Sequence, residues 1–436
     1  MVRCEVPFGS SKIGFDLPKG WEILKSAAPK PASKVPDEEK EIKMSIERPI
    51  GSKRLSELVT RNKKIAIIVD DISRPTPISK IMPKLLDELL GAGANTEKMF
   101  VIFGCAIHRK LEALDMEARL GRNIIPRIRA INSDLQNDLI ELGKTSFGTP
   151  IAVNREYYEA DLKIALGTIE PHVFAGFGGG HKAVLPGITG INTIMSNHKL
   201  VTKPRSQIGV SPEENPVRKD LEEAGKICGL DFIVNTVLND KKEIVKVVAG
   251  DPILAHREGV KVASEIYGVD VPARADIVIT SAFPLDIDIR QSGKSIINTM
   301  QATKENGTIL CISPCPEGAG TVTLPKPIMK SEDFIKFVRG LKDADVAKLI
   351  ETLNVPIEEW CNSYLWVSVL RSNNVVLSSP GVTDQQAGSM YIRNYPKISD
   401  AIAQVRDIVG NKAGVLIFPV GGITFPIFPK ESSSMG

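Results

Sequence analysis

From Lys63 onward the sequence alternates between short runs rich in β-branched residues and longer amphipathic stretches, and no other feature limits the possible folds as strongly. KKIAIIVDD (63–71) precedes PTPISKIMPKLLDELLGAG (75–93), and KMFVIFGC (98–105) precedes RKLEALDMEARLG (109–121). The same order recurs at DLKIALGTI (161–169), at ADIVITSAFP (275–284) before KSIINTMQATKENG (294–307), and at GTILCISP (307–314). Repeated strand, loop and helix units predict an α/β fold with Rossmann-like, largely parallel sheets. At 436 residues the chain exceeds the size at which one core usually stops growing, so two domains are expected.

The proline-bearing segment GVDVPARAD (268–276) follows the helical stretch DPILAHREGVKVASEIYG (251–268) and precedes a new strand, which places the boundary there. The expected organisation is an N-terminal α/β domain over 1–270, a second α/β domain over 271–390, and a return of 391–428 to complete the first sheet. In that last segment KISDAIAQVRDIVG (397–410) reads as a helix and AGVLIFPVGGITFPIF (413–428) as paired strands. Residues 26–42 read as an exposed connector and 429–436 as a disordered tail.

Composition removes several function classes. Hydrophobic residues at 42% and charged residues at 25% are ordinary for a soluble protein, and no apolar run reaches membrane-span length. The N-terminus lacks the apolar core of a signal peptide, so a cytoplasmic location is expected. The six cysteines form no CxxC pair, which argues against a zinc ribbon or a disulfide framework. With 55 basic and 52 acidic residues dispersed along the chain, nucleic acid is not an expected partner.

In open α/β sheets, ligands bind beyond the carboxyl ends of the strands. Asp70, Asp71, Ser73 and Arg74 follow the first predicted strand, His108 the second, and Glu170 and His172 the third. Asp286, Asp288, Arg290, Gln291 and Lys294 follow the first strand of the second domain. Taken singly these are weak signals: a histidine after a strand is more often a packing or capping residue, DDISRPTP can be a helix start, and GFGGG can be a flexible turn. Together they say more, because His108, His172, His181 and His198 are four of only five histidines and all lie in or near such loops. His256, on an amphipathic helix, reads as structural. Imidazoles with arginine, glutamine and lysine suit acid–base chemistry on a small anion: imidazole exchanges protons near neutrality, Arg74 can grip a carboxylate in bidentate fashion, and Lys294 with Gln291 adds single donors. No GxSxG elbow, HExxH helix or paired-carboxylate motif supports a hydrolase.

With these residues assembled, the sequence resembles the nickel-pincer lactate racemase family. The resemblance is carried by DDISRPTP, the His108 loop, HVFAGFGGGHKAVLPG followed by INTIMSNH, and DIDIRQSGK, which match the family's HxFAGFxGGxKxxLPG and xxTIMxNH patterns. It implies two α/β domains with an active site in the cleft between them, and a nickel-pincer nucleotide, a pyridinium-3-thioamide-5-thiocarboxylic acid mononucleotide carrying nickel. That cofactor would be joined through a thioamide to Lys182, with His198 as nickel ligand and His108 and His172 as the catalytic pair. The implied reaction removes the hydroxyl proton of a 2-hydroxy acid while the C2 hydrogen leaves as hydride, and returns the hydride to the other face of the 2-keto acid. Arg74, Gln291 and Lys294 would hold the carboxylate, Asp71 would orient a neighbouring histidine or arginine, and Gly178, Gly179 and Gly180 would let backbone approach the cofactor or its phosphate. Trp360 would line the site, against the plainer reading of a core aromatic. The implied partners are a small 2-hydroxy acid and the cofactor's maturation proteins.

Two positions depart from the family. His181 stands where lactate racemases carry arginine, and reads as a polar group at the cofactor or as a surface variant. Arg290 stands where they carry tyrosine, which opens malate or a sugar acid such as gluconate as substrates beside lactate. Rival readings are a Schiff-base enzyme built on Lys182 and a nickel carrier using the histidines.

Overall fold

The computed structural model describes residues 2–320, 329–353 and 355–429. The chain divides into two compact units, one formed by Pro31–Ile266 and the other by Met1–Lys30 with Tyr267–Gly436.

The unit Pro31–Ile266 is built on a six-stranded sheet in the order Ile244–Gly250, Phe232–Leu238, Leu162–Thr168, Ile65–Asp70, Met99–Gly104, Arg129–Asn132. All pairs are parallel except the first, which is an antiparallel hairpin. Five of the six residues of Ile65–Asp70 are buried, as expected for a strand covered on both faces. Helix Ile78–Gly91 covers one face by burying Ile78, Ile81, Met82, Leu85, Leu86 and Leu89, the three-and-four spacing of one helical stripe. Each such side chain stabilises by about 1.5–3 kcal/mol. Strand order runs outward on one side of Ile65–Asp70 and resumes on the other with Leu162–Thr168, so the topological switch point lies between these two strands.

The second unit repeats this plan. Its sheet has the order Arg393–Asn394, Asn374–Ser378, Thr303–Ile312, Ala275–Ser281, Ala413–Phe418, Trp21–Ser26, with every pair parallel. The hairpin Val2–Phe8 and Ser11–Leu17 contributes Val6, Phe15 and Leu17 to the same core as Ile277, Leu310 and Val415.

The division between the units falls between Ile266 and Tyr267, beside the segment 268–276, but the C-terminal segment goes the other way from the expectation. Ala413–Phe418 pairs with Ala275–Ser281 and with Trp21–Ser26, so 391–428 and the N-terminal thirty residues complete the second sheet and not the first. An all-parallel sheet joins strands through crossovers of arbitrary length, and apolar periodicity carries no record of which edge a late strand joins. The two strands inside 413–428 do not pair with each other; Phe425–Ile427 pairs with Gly268–Asp270. The helix expected over 294–307 ends at Thr299, and Thr303 opens the next strand. The connector 26–42 is irregular only to Asp37, which caps helix Glu38–Glu47 by accepting from the Lys40 amide. The expected tail lies, except for its first residue, outside the described residues.

Candidate functional site

The switch point of the first unit gathers Asp71, Arg74, His108 and His172 from among the expected residues. Asp71 and Arg74 follow Ile65–Asp70, His108 follows the neighbouring strand on one side, and Glu170 and His172 follow the neighbouring strand on the other. Nδ1 of His108 lies 2.6 Å from Oδ2 of Asp71, and the Ser73 hydroxyl is 3.3 Å from the same nitrogen. Burial pushes the Asp71 carboxyl up, but the hydrogen bond and charge of His108, with the Ser73 hydroxyl and amide, outweigh it and bring Asp71 down to about 2. An ionised Asp71 accepts the Nδ1 proton, which leaves Nε2 of His108 as the basic nitrogen.

His172 is held the other way round. Its Nδ1 accepts from the Ala175 amide at 3.2 Å, so neutral His172 carries its proton on Nε2. One ring thus presents a lone pair and the other an N–H, from strands on opposite sides of Ile65–Asp70. Arg74 donates to Oε1 of Glu170 at 3.3 Å, which ties the two sides of the switch point together.

Phe174 joins His172 to His198: its ring meets the first edge-on at 4.6 Å and the second at 5.0 Å. Burial, with the nearby charge of Lys182, draws His198 down to about 3, so its imidazole is neutral at physiological pH. A neutral imidazole beside an amine is the protonation state a metal ligand requires. Among the described residues no three His, Cys, Asp or Glu side chains gather to hold a metal.

Lys182 lies in the short helical turn Gly180–Ala183. The glycines before it are used for packing within the protein. Gly179 has φ +72°, and a Cβ there would lie 2.7 Å from Ile169 and 2.8 Å from the Asn235 amide oxygen. The Gly178 amide donates to the Glu170 carbonyl and the Gly180 amide to Asn235, while the Gly178 carbonyl accepts from Nε2 of His256 at 2.8 Å. These two amides are therefore committed to protein partners, which differs from the expected approach to a phosphate. His181 is not at the surface: it is 2% exposed, its ring fills the space where a Cβ on Gly225 would stand, and burial holds it neutral, down to about 3. His256 is buried, as its structural reading required.

The remaining expected residues lie in the second unit. Asp288 caps helix Ile289–Thr299 by accepting from the Gln291 amide at 2.7 Å, and Lys294 donates to the Gln291 side chain at 2.6 Å. Arg290 pairs with the buried Glu359 at 2.7 Å. Trp360 is buried at the start of helix Trp360–Ser372 and stacks on Tyr364.

The partners of Asp70, and two buried charges further along the chain, are polar residues that the sequence does not single out. Asp70 is held by Arg119 and Thr76, and Thr76 continues through Thr168 to Thr236 beneath the switch point. Arg218 and Asp220 are fully buried on helix Pro216–Cys228, a stretch in which the sequence alone singles out no residue. No sequence signal marks a charged residue whose partner is a backbone carbonyl far along the chain.

Two α/β units with largely parallel sheets, one of them bringing His108 and His172 to loops on either side of Ile65–Asp70, define the class of protein as a two-domain α/β protein. Comparison with known proteins gives the family. Residues 8–209 match the profile described as "Lactate racemase N-terminal domain" and residues 271–425 the one described as "Lactate racemase C-terminal domain". The chain is 32% identical to the lactate racemase of Thermoanaerobacterium thermosaccharolyticum over 97% of its own length and 98% of that protein's. It is 29% identical to the lactate racemase of Lactiplantibacillus plantarum over 88% and 90%. The lactate racemase apoprotein structure from T. thermosaccharolyticum superposes with a TM-score of 0.85 at 30% identity, covering 98% of this chain and all of that one. A Thermotoga maritima protein shares the fold with a TM-score of 0.63 at 18% identity. The chain belongs to the lactate racemase family and is an isomerase of the racemase class.

Proposed function

We propose that this protein inverts C2 of a 2-hydroxy acid by proton-coupled hydride transfer, with lactate, named for both relatives, as the first substrate to test. The observation that carries the reading is the opposite hydrogen-bonding of the two histidines at one switch point: His108 with Nδ1 on Asp71, His172 with Nδ1 on an amide. Inversion needs a proton acceptor for the hydroxyl of one enantiomer and a donor for that of the other, and a single ring cannot reach both orientations. His108 takes the hydroxyl proton at Nε2, and Asp71 steadies the imidazolium that results. His172 offers its neutral Nε2–H as a hydrogen bond to the oxygen on the other side and returns a proton to the inverted product from its protonated form, so that a neutral ring and no imidazolate is left. Arg74, steadied by Glu170, holds the carboxylate, and Gln291 and Lys294 are the further donors proposed for it.

The donor chemistry fits the cofactor of this family. Lys182 supplies the amine for a thioamide link, and neutral His198 a nitrogen ligand for nickel. When bound, the nickel-pincer nucleotide supplies a reversible acceptor for the hydride that leaves C2. Arg290 is already balanced by Glu359, so a second substrate carboxylate would meet a negative charge, whereas hydroxyl groups can donate to Glu359 and accept from Arg290. This favours lactate or a hydroxyl-bearing acid such as gluconate over malate.

The test is the mass of the Lys182 peptide, with nickel content and enantiomer interconversion, for chain produced together with the maturation proteins. A nickel-bearing adduct and racemisation are expected. Lys182→Ala should lose both, while His108→Ala and His172→Ala keep the adduct and lose turnover. Activity in a chain with unmodified Lys182 would overturn the tether, and trapping of substrate on Lys182 by borohydride would favour the Schiff-base reading. Faster turnover of malate than of lactate or gluconate would reject the role given to Arg290.

A further inference from the structure

Helix Pro216–Cys228 carries Arg218 and Asp220 fully buried, with its capping residue Asn215 equally buried. Interring a guanidinium and a carboxylate costs several kcal/mol unless their hydrogen bonds are made, and apolar side chains would fill the same core without that cost. Their partners give the reason. Arg218 donates to the carbonyls of Phe177, Gly178 (3.3 Å) and Gly179 (3.1 Å), the three residues that lead into the turn of Lys182. The Gly179 carbonyl also accepts the Lys182 amide at 3.2 Å, so the guanidinium is one bond removed from the lysine backbone. Glu222, gripped on its other side by Arg257, faces Arg218 and balances it.

Asp220 acts at the other end. One of its oxygens accepts from Nδ2 of Asn197 at 2.8 Å, and Asn197 is the residue before His198. The Thr145 and Thr149 hydroxyls complete its shell at 2.5 and 2.8 Å. Asn215 donates to the Phe174 carbonyl at 2.9 Å, and the Phe174 ring stands between His172 and His198. Three buried polar side chains within six positions therefore hold three separate site segments to one rigid rod.

We propose that helix Pro216–Cys228 is a positioning element that sets the spacing of Lys182 and His198, with Arg218 holding the lysine's loop and Asp220, through Asn197, the histidine's helix. The proposal rests on the reading that these two residues hold one group. A helix at fixed rise gives a stiffer spacing than a loop, and a tether and a metal ligand must match one ligand's dimensions closely to engage it together.

The test uses the full-length chain with Arg218→Lys and Asp220→Asn, each read in two ways. Backbone amide exchange, which needs no cofactor, should rise about tenfold around 177–184 in Arg218→Lys and around 193–199 in Asp220→Asn, with Ile65–Asp70 unchanged in both. After production with the maturation proteins, Arg218→Lys should lower the fraction of Lys182 that carries the adduct. Asp220→Asn should leave that fraction near wild type and lower the nickel held per adduct. A purely structural role would reduce both quantities in step and raise exchange throughout the unit, and that result, or local exchange unaltered in both variants, overturns the proposal. If Arg218→Lys does not fold, Asp220→Asn, equal in size and polar, carries the test at its own end. A wild-type chain without adduct would count against the functional reading alone, since the exchange data still judge the helix.

Discussion

At the scale of single residues, the chemistry depends on protonation states that neighbours impose. Asp71→Asn keeps the shape of the carboxylate but removes the charge that steadies protonated His108. It should lower kcat roughly 10²- to 10⁴-fold while leaving the Lys182 adduct intact, as steady-state kinetics beside peptide mass would show. An unchanged kcat would remove Asp71 and His108 from the acid–base role. His181 gives a second expectation. Its folded value is about 3, well below the ordinary histidine value near 6.5, so the unfolded chain takes up a proton that the folded chain refuses. The stability from this residue is complete above about pH 6.5 and declines as the pH falls toward 3, by roughly 1.4 kcal/mol per unit. Denaturant unfolding between pH 7 and 5 should show a shallower acid decline in His181→Gln than in wild type; parallel curves would contradict this. The histidines at strand ends were legible in the sequence because the chain has so few of them. Burial of His181 was not, since its neighbour Gly225 stands forty-four residues away.

At the scale of elements, local sequence signals and tertiary packing sometimes give opposite signs. Helix Pro216–Cys228 carries its own boundaries: Asn215 accepts from the Arg218 amide, Pro216 occupies the first turn, and Gly229 takes the left-handed conformation at φ +84°. By propensity alone Gly225→Ala should stabilise it by about 1 kcal/mol. The His181 ring occupies that space, so the net effect should be a loss of about 1–3 kcal/mol, measurable by equilibrium unfolding. Stabilisation would show that the ring can move aside. Strand and helix existence was readable from periodicity, and the strand ends named in the sequence are the ones from which Asp71, His108 and His172 follow in the structure. The buried charges on this helix were not legible, because a buried ion partnered by distant carbonyls leaves no pattern in its own stretch of chain.

At the scale of the whole molecule, the N-terminal thirty residues belong to the unit formed mainly by the C-terminal half. Their removal would strip the strand Trp21–Ser26 from Ala413–Phe418 and take Val6, Phe15, Leu17 and Trp21 from that core. Four buried side chains at about 1.5–3 kcal/mol each rival the 5–15 kcal/mol that holds a domain together. A chain beginning at Pro31 should therefore lose amide protection in Ala275–Ser281 and keep it in Ile65–Asp70; protection retained in both would refute the assignment. The sequence by itself determined the α/β class and the family. These are local properties, set by periodicity, turn residues and short motifs. Only the tertiary structure decided which sheet the termini complete, that His108 and His172 hold their protons on opposite nitrogens, that Arg290 is balanced by Glu359, and that Arg218 and Asp220 lie buried beneath the site. All but the orientation of His172, which is set by the nearby Ala175 amide, depend on a partner many residues away, and a contact of that kind leaves no trace in the spacing of residues along the chain.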